Sequence, residues 1–185
     1  MLVEKKITID WEKHHIRYKL ENTDIIDADI LPKEWLTEDV LREFKDKVDW
    51  KSVVRHISLS EDFLRENWDY LEQKLRKNID DITYYHLVNE HFIEEFRDKL
   101  YWLYVSSQQN LSPQFIERWN DFLDWEFISR YQNLTDDLVL KFANKVNWTK
   151  IFRYQKHISS WVLDKFRNEV DLNTYRYGMR AWKGD

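Results

Sequence analysis

Three dipeptides, Arg130-Tyr131, Arg153-Tyr154 and Arg176-Tyr177, follow one another at intervals of 23 residues, and Arg55-His56 occupies the same phase upstream. A guanidinium is a planar fork that grips a carboxylate or phosphate with two parallel hydrogen bonds, and it stacks on aromatic faces. Brought into line, the four pairs would make a ladder for a small anionic ligand such as a nucleotide, or for acidic groups on a partner protein. The competing reading is architectural. Each Tyr lies three residues after Ile128 or Ile151 and would pack between neighbouring units, while each Arg pairs with a nearby acid. Residues that recur in a repeat commonly serve the repeat itself.

A second constellation lies in the segment Asp80–His91, which contains Tyr84, Tyr85, His86, Glu90 and His91. His86 and Glu90 are four apart, and Glu94 and Glu95 follow His91, so one helix could present a His/Glu pair to a metal ion or a proton. Two ligands on one turn fall short of the three or four that a stable zinc centre needs, and no His-Glu-x-x-His arrangement exists. A loop extension exposed to a partner is the commoner meaning of such an insertion.

Other chemistry is excluded by composition. The chain has no cysteine, hence no disulfide framework, thiolate metal site or Cys nucleophile. Gly178 and Gly184 are its only glycines, so no phosphate loop, dinucleotide fingerprint or nucleophile elbow can be built upstream of them. A net charge of −5, mixed along the chain, argues against nucleic acid as a partner. No run of 18 apolar residues and no leader-like apolar segment is present, which predicts a soluble protein of the cytoplasm without membrane contact. Neither a cofactor, a metal nor a catalytic residue is expected. Asn133-Leu-Thr135 and Asn147-Trp-Thr149 match the glycosylation pattern but read as chemistry of the repeat.

The elements that must position these groups are written as a repeat. Leu111–Asn133 is followed at once by a second version of itself, Leu134–Lys156, and related units start near residues 36, 59, 88 and 158. Trp102, Trp125 and Trp148 are spaced by 23, as are Phe96, Trp119 and Phe142. The position after each start reads Thr37, Ser60, Asn89, Ser112, Thr135 and Ser159, all residues that cap a helix N-terminus. Acids often follow the cap, and Leu36 and Leu41 have the spacing of a hydrophobic staple. Val40, Leu41, Phe44 and Val48 would line the first helix, and Trp50, Val53, Val54 and Ile57 the second. Each unit is thus predicted to be a helical hairpin with a corner of only a residue or two, closed by Asp or Asn. Serines held at caps have committed oxygens and are poor nucleophiles.

Residues 1–30 fit the repeat badly. Lys6–Trp11 and His15–Leu20 alternate apolar with polar residues, which predicts a β-hairpin with Ile7, Ile9 and Trp11 on one strand and Ile16, Tyr18 and Leu20 on the other. Ile9-Asp10-Trp11 could instead be a worn half-repeat. Either form would cap the first unit, since an open repeat end exposes apolar surface. Pro32 marks the entry to the repeats, giving a cap over 1–30 and an array over 31–185.

The pattern Leu-Ser-x-x-Phe-Ile-x-x-Phe-x-Asp-x-Val-Asp-Trp-x-x-Ile-Ser-x-Tyr-Gln resembles a short tandem repeat of proteins from bacteriophages and large DNA viruses. Residues 111–132 and 134–155 keep it best, and the likeness covers roughly 36–180. The second unit departs most, with Gln73 where the Trp should stand. The resemblance implies a viral origin and an interaction role, and brings no catalytic residues. Together these readings predict an all-α chain, a short α-solenoid of about six helical-hairpin repeats. The expected function is a protein-interaction module that occludes or sequesters a partner, a host defence factor being one candidate. A binder of a small anionic ligand and a metal-dependent enzyme are the alternatives. The candidate binding residues are Arg55, His56, Tyr84, Tyr85, His86, His91, Arg130, Tyr131, Arg153, Tyr154, Arg176 and Tyr177.

Overall fold

The computed structural model describes residues 14–183, which are all-α: among them no strand forms, and the single β contact is an isolated parallel bridge between Ile26 and Val48. The chain divides into two compact units, Met1–His86 and Leu87–Asp185. Among the described residues no helix is long and apolar enough to cross a membrane.

In the second unit the repeat produces alternating short helices. The first helices are α6 (Glu90–Glu95), α8 (Pro113–Arg118), α10 (Asp136–Lys141) and α12 (Ser160–Lys165). The second helices are α7 (Trp102–Gln108), α9 (Trp125–Tyr131), α11 (Trp148–Tyr154) and α13 (Leu172–Lys183). Second helices pack on second helices: α7 on α9, α9 on α11, α11 on α13. Each first helix starts because a side-chain oxygen accepts an otherwise orphaned N–H. Asn89 takes that of Phe92 at 2.8 Å, Ser112 that of Phe115 at 3.1 Å and Thr135 that of Leu138 at 3.3 Å. Ser159, expected to act likewise, has no side-chain cap bond. Two apolar residues per first helix are buried: Phe92 with Ile93, Phe115 with Ile116, Leu138 with Val139, Val162 with Leu163.

The corners are longer than the sequence reading expects. The first helix stops at Phe96, Trp119 or Phe142, where the backbone leaves helical geometry, and does not run on to the apolar residue four places later. Two bonds hold the break. The N–H three residues on returns to that aromatic's carbonyl, from Lys99 at 2.8 Å, Phe122 at 2.9 Å and Lys145 at 2.8 Å. Then the indole N–H of the following Trp reaches back five residues: Trp102 to the Arg97 carbonyl at 3.0 Å, Trp125 to Asn120 at 2.8 Å, Trp148 to Ala143 at 3.0 Å. The repeating tryptophans are therefore clamps on the corner as well as core.

The first unit begins with α1 (residues 14–21), where the expected second β-strand is helical instead. Helix wins because Leu20 is fully buried while Tyr18 stands in solvent, a pattern that alternation does not describe. Its end is tied off by Asn22 Nδ2 and Thr23 Oγ1, which donate to the Tyr18 and Lys19 carbonyls, and by the Lys47 ammonium on the Glu21 carbonyl at 2.7 Å. The expected first strand and Ile9-Asp10-Trp11 lie outside the described residues. Ile26 then exchanges bonds with the first hairpin, donating to the Lys47 carbonyl and accepting the Asp49 N–H, both at 2.9 Å.

That hairpin is α2 (Glu38–Glu43) and α3 (Trp50–His56), with Thr37 and Asp49 as caps. Its neighbour breaks the rule. Gln73 stands where the clamping Trp would be, and α4 runs unbroken from Glu61 to Leu75. It ends at Arg76, whose φ of 51° is in the left-handed region, and α5 (Asp81–Tyr85) completes the unit against α3.

Candidate binding face on the second helices

What aims the outward side chains is a buried glutamine that ends α7, α9 and α11. Gln132 accepts the Leu111 N–H on Oε1 at 3.1 Å and donates from Nε2 to the Ser106 and Gln109 carbonyls at 3.0 and 2.8 Å. Gln155 repeats the set on Leu134, Ser129 and Gln132, and Gln109 accepts the Val88 N–H at 2.9 Å. Their 23-residue spacing is visible in the sequence, where the repeat pattern ends on Tyr-Gln, but nothing there assigns them a joining role. Ser106 and Ser129, also buried, accept the cap N–H of the next second helix, from Asp124 at 2.9 Å and Asn147 at 2.8 Å. With the glutamine pinned inward, the two residues before it must face solvent.

In the second unit those residues are Arg130-Tyr131 and Arg153-Tyr154. The Arg130 guanidinium carbon lies 4.9 Å from the ring centres of both Tyr131 and Tyr154, so one arginine joins two successive helices through its faces. Phe127 extends the stack, 6.0 Å from Tyr131 and 15° from parallel. Tyr131 and Tyr154 remain 49% and 45% exposed, so they are not packed away between units. Among the described residues neither Arg130 nor Arg153 has a carboxylate within ion-pair distance. The first-helix arginine Arg118, by contrast, meets Glu94 at 2.6 Å.

Arg176 does not join this row. The Leu134 and Ile158 starts, and the Asn147 and Asp171 caps, are one residue further apart than the period, so Tyr177 takes the Arg position and Gly178 the Tyr position. The third pair expected from spacing is thus out of register by one residue. Arg153, Tyr154 and Tyr177 instead line an open surface cavity of about 590 Å³ with Asp171, Asn173 and Thr174. Asp171 is occupied: it accepts the Thr174 hydroxyl at 2.6 Å and the Asn173 and Thr174 N–H groups at 2.9 and 3.0 Å. Those bonds, the Thr174 hydroxyl first, hold its carboxyl below the usual range and keep it ionised.

In the first unit Arg55 and His56 hold the same two phases, but both meet acids, Arg55 with Asp81 at 3.9 Å and His56 Nε2 with Asp29 at 2.6 Å. Once the inserted residues are counted, Tyr84 and Tyr85 fall in these phases too, exposed and edge to face at 4.7 Å. His86 then stands where the other repeats carry glutamine. It is buried, and Nδ1 accepts the Leu59 N–H at 3.5 Å. Burial lowers its pKa, opposed by the Val54 carbonyl. The expected single helix presenting His86 and Glu90 does not exist: α5 ends before His86, and Asn89 caps a new helix at Glu90. Glu90 accepts the Ser112 N–H at 2.5 Å. His91 lies exposed on the first helix α6, outside the two outward phases. Among the described residues no three His, Asp or Glu side chains converge as a metal set.

Compared with known protein families, with curated proteins and with solved structures, the chain matches none of them.

Proposed function

We propose that the hairpins of each unit stack as a short α-solenoid and that the protein is an interaction module. Its binding surface is the row of arginine and tyrosine side chains that ends the second helices. The observation that supports this most is Arg130 held between two half-exposed tyrosine rings with no carboxylate partner among the described residues. Exposed aromatics and arginine are the residue types that concentrate binding energy at protein interfaces. A rigid face of this kind would occlude or sequester its partner. If the likeness to viral repeat proteins reflects descent, that partner is a host protein met in the host cytoplasm. The test is paired capture from host lysate with the wild type and with Arg130→Ala/Tyr154→Ala. Both residues are exposed, so the variant should keep its helical circular dichroism. A partner retained at stoichiometric yield by the wild type and lost by the variant supports the reading; no retained protein, or equal retention, contradicts it.

A second reading rests on the cavity beside Arg153, which has room for a small anion-bearing ring between Tyr154 and Tyr177. A ligand that binds only the native state must raise its apparent stability. A nucleotide panel should then shift the melting temperature of the wild type and leave Arg153→Ala unmoved.

A further inference from the structure

The row in the second unit is narrow. Only the last turn of α9 and of α11 contributes to it, two outward phases wide, and Tyr177 of α13 closes one end. Among the described residues Arg130 and Arg153 are cations of this row with no carboxylate within ion-pair distance, whereas the first-helix Arg118 is paired with Glu94. Two guanidinium groups with no carboxylate of their own favour a negatively charged segment at this row. Arg130 and Arg153 occupy equivalent positions on adjacent packed helices, whose axes lie about 8–10 Å apart. Carboxylates that serve both must match that interval and point the same way.

Among regular chain conformations, polyproline II does so at the shortest repeat: three residues make one turn and advance about 9 Å, so positions i and i+3 project together. A β-strand covers about the same length in three residues but turns its ends to opposite sides. A helical partner, about 10–12 Å across, needs a trough wider than a two-phase row. A proline of an extended chain also docks between exposed aromatic rings, and Tyr154 and Tyr177 flank such an opening beside Arg153, while Arg130 already fills the space between Tyr131 and Tyr154. Beyond Arg153 the row offers Tyr177 in place of a third arginine and the same cavity holds the ionised Asp171, so a third acid in the series would be repelled.

Resting on the interaction reading above, we propose that the second unit docks an acidic polyproline II segment of a partner protein. Its core is two carboxylates three residues apart, one on Arg130 and one on Arg153, with a proline between Tyr154 and Tyr177.

The test is fluorescence polarisation of the full chain with labelled Pro-Glu-Pro-Pro-Glu-Pro at low and physiological salt. Four control peptides go with it: the Gln version, one with the acids two apart, one with a third Glu three further on, and a helical one with acids seven apart; a nucleotide and inorganic phosphate are run as competitors. The expected result is saturable binding weakened by salt, about tenfold or more weaker for the Gln peptide and for each of Arg130→Ala and Arg153→Ala. It should also be weaker for the altered spacing and for the third acid. Equal affinity for all peptides, or tighter binding of a helical peptide with acids seven apart, overturns the proposal. So does a nucleotide or inorganic phosphate that binds through Arg130 where the peptide does not. If no peptide binds but lysate capture still depends on Arg130 and Tyr154, this inference falls and the interaction reading stands. If neither depends on them, both fall.

Discussion

His86 accepts the backbone N–H of Leu59 on Nδ1, in the register position where Gln132 accepts that of Leu111 on its carboxamide oxygen. The first unit therefore uses a titratable ring at a joint that the second unit builds from neutral amides. Burial depresses the imidazole pKa below its ordinary 6.5, so the folded state resists a proton that the unfolded chain accepts. Stability is then insensitive to this group above about pH 6.5 and falls as pH drops below it, where the unfolded state binds more protons. The fall levels off beneath the folded pKa, and each unit of depression is worth roughly 1.4 kcal/mol. His86→Gln should retain the Leu59 bond and remove this dependence. Urea denaturation at several pH values from 8 to 5 should give converging stabilities at high pH and a shallower acid loss in the variant. Parallel pH profiles would mean that His86 is not the sensitive group.

The glutamine joints predict a large cost for a small change. Gln132→Ala removes three buried hydrogen bonds and leaves the Leu111 N–H and two carbonyls without their partner. With about 1 kcal/mol net per bond, and more where a buried group stays unsatisfied, the loss should be about 2–4 kcal/mol. Gln108→Ala, exposed on the neighbouring second helix, should stay within about 0.5 kcal/mol of the wild type. Equal denaturation midpoints for the two variants would remove the glutamine from its proposed part in joining repeats.

These joints show what the sequence could and could not disclose. Thr37, Ser60, Asn89, Ser112 and Thr135 were legible as caps and the tryptophans as core, because such a residue at a fixed phase has few structural uses; the indole bonds that clamp the corners, and the absence of a cap bond at Ser159, were not. Gln109, Gln132 and Gln155 recur just as faithfully, yet a polar residue at a fixed phase reads as surface until its backbone partners, 21 to 26 residues away, are placed. The long corners were hidden for a related reason: Phe44 and Val48 continue the helical spacing of α2 straight through the break. His15–Leu20 alternates over too few residues to separate strand from helix, and burial of Leu20 decides it. The outward row of arginines and tyrosines was half legible. Arg130, Tyr131, Arg153 and Tyr154 share a face as their spacing implies, while a single inserted residue near His157 moved Arg176 off it. The matching of Tyr84 and Tyr85 to the same phases was invisible until the insertion could be located.

Arg76 marks a strained exit from α4. Its φ of 51° and ψ of −119° suit glycine, and a side chain there costs about 1–2 kcal/mol. Arg76→Gly forfeits roughly 0.5–1 kcal/mol to the greater freedom of the unfolded chain, so a net gain of about 0.5–1 kcal/mol is expected. Arg76→Ala, which keeps the Cβ, should gain nothing. A Gly variant no more stable than the Ala variant in thermal melts would show that the turn is not strained by its side chain.

Gly178 poses the opposite case, a glycine whose replacement by the best helix former should destabilise. It is buried inside α13, where Ala favours the helix by about 1 kcal/mol over Gly. A Cβ at this position would lie 2.8 Å from both the Phe152 Cδ1 and the Phe152 carbonyl oxygen, and 3.2 Å from the Phe152 Cβ. The ring could swing aside, but the carbonyl belongs to the backbone of α11 and cannot move alone. Overpacking of this kind costs about 1–3 kcal/mol, which outweighs the propensity gain and leaves a net loss of about 1 kcal/mol. Combining Gly178→Ala with Phe152→Leu should recover only part of that loss, because the carbonyl contact persists. Gly178→Ser, with the same Cβ and a weaker helix preference, should be worse still. A Gly178→Ala protein that melts above the wild type would mean that α13 is not seated against α11 at this distance, and with it would go the placement of Tyr177 beside Arg153.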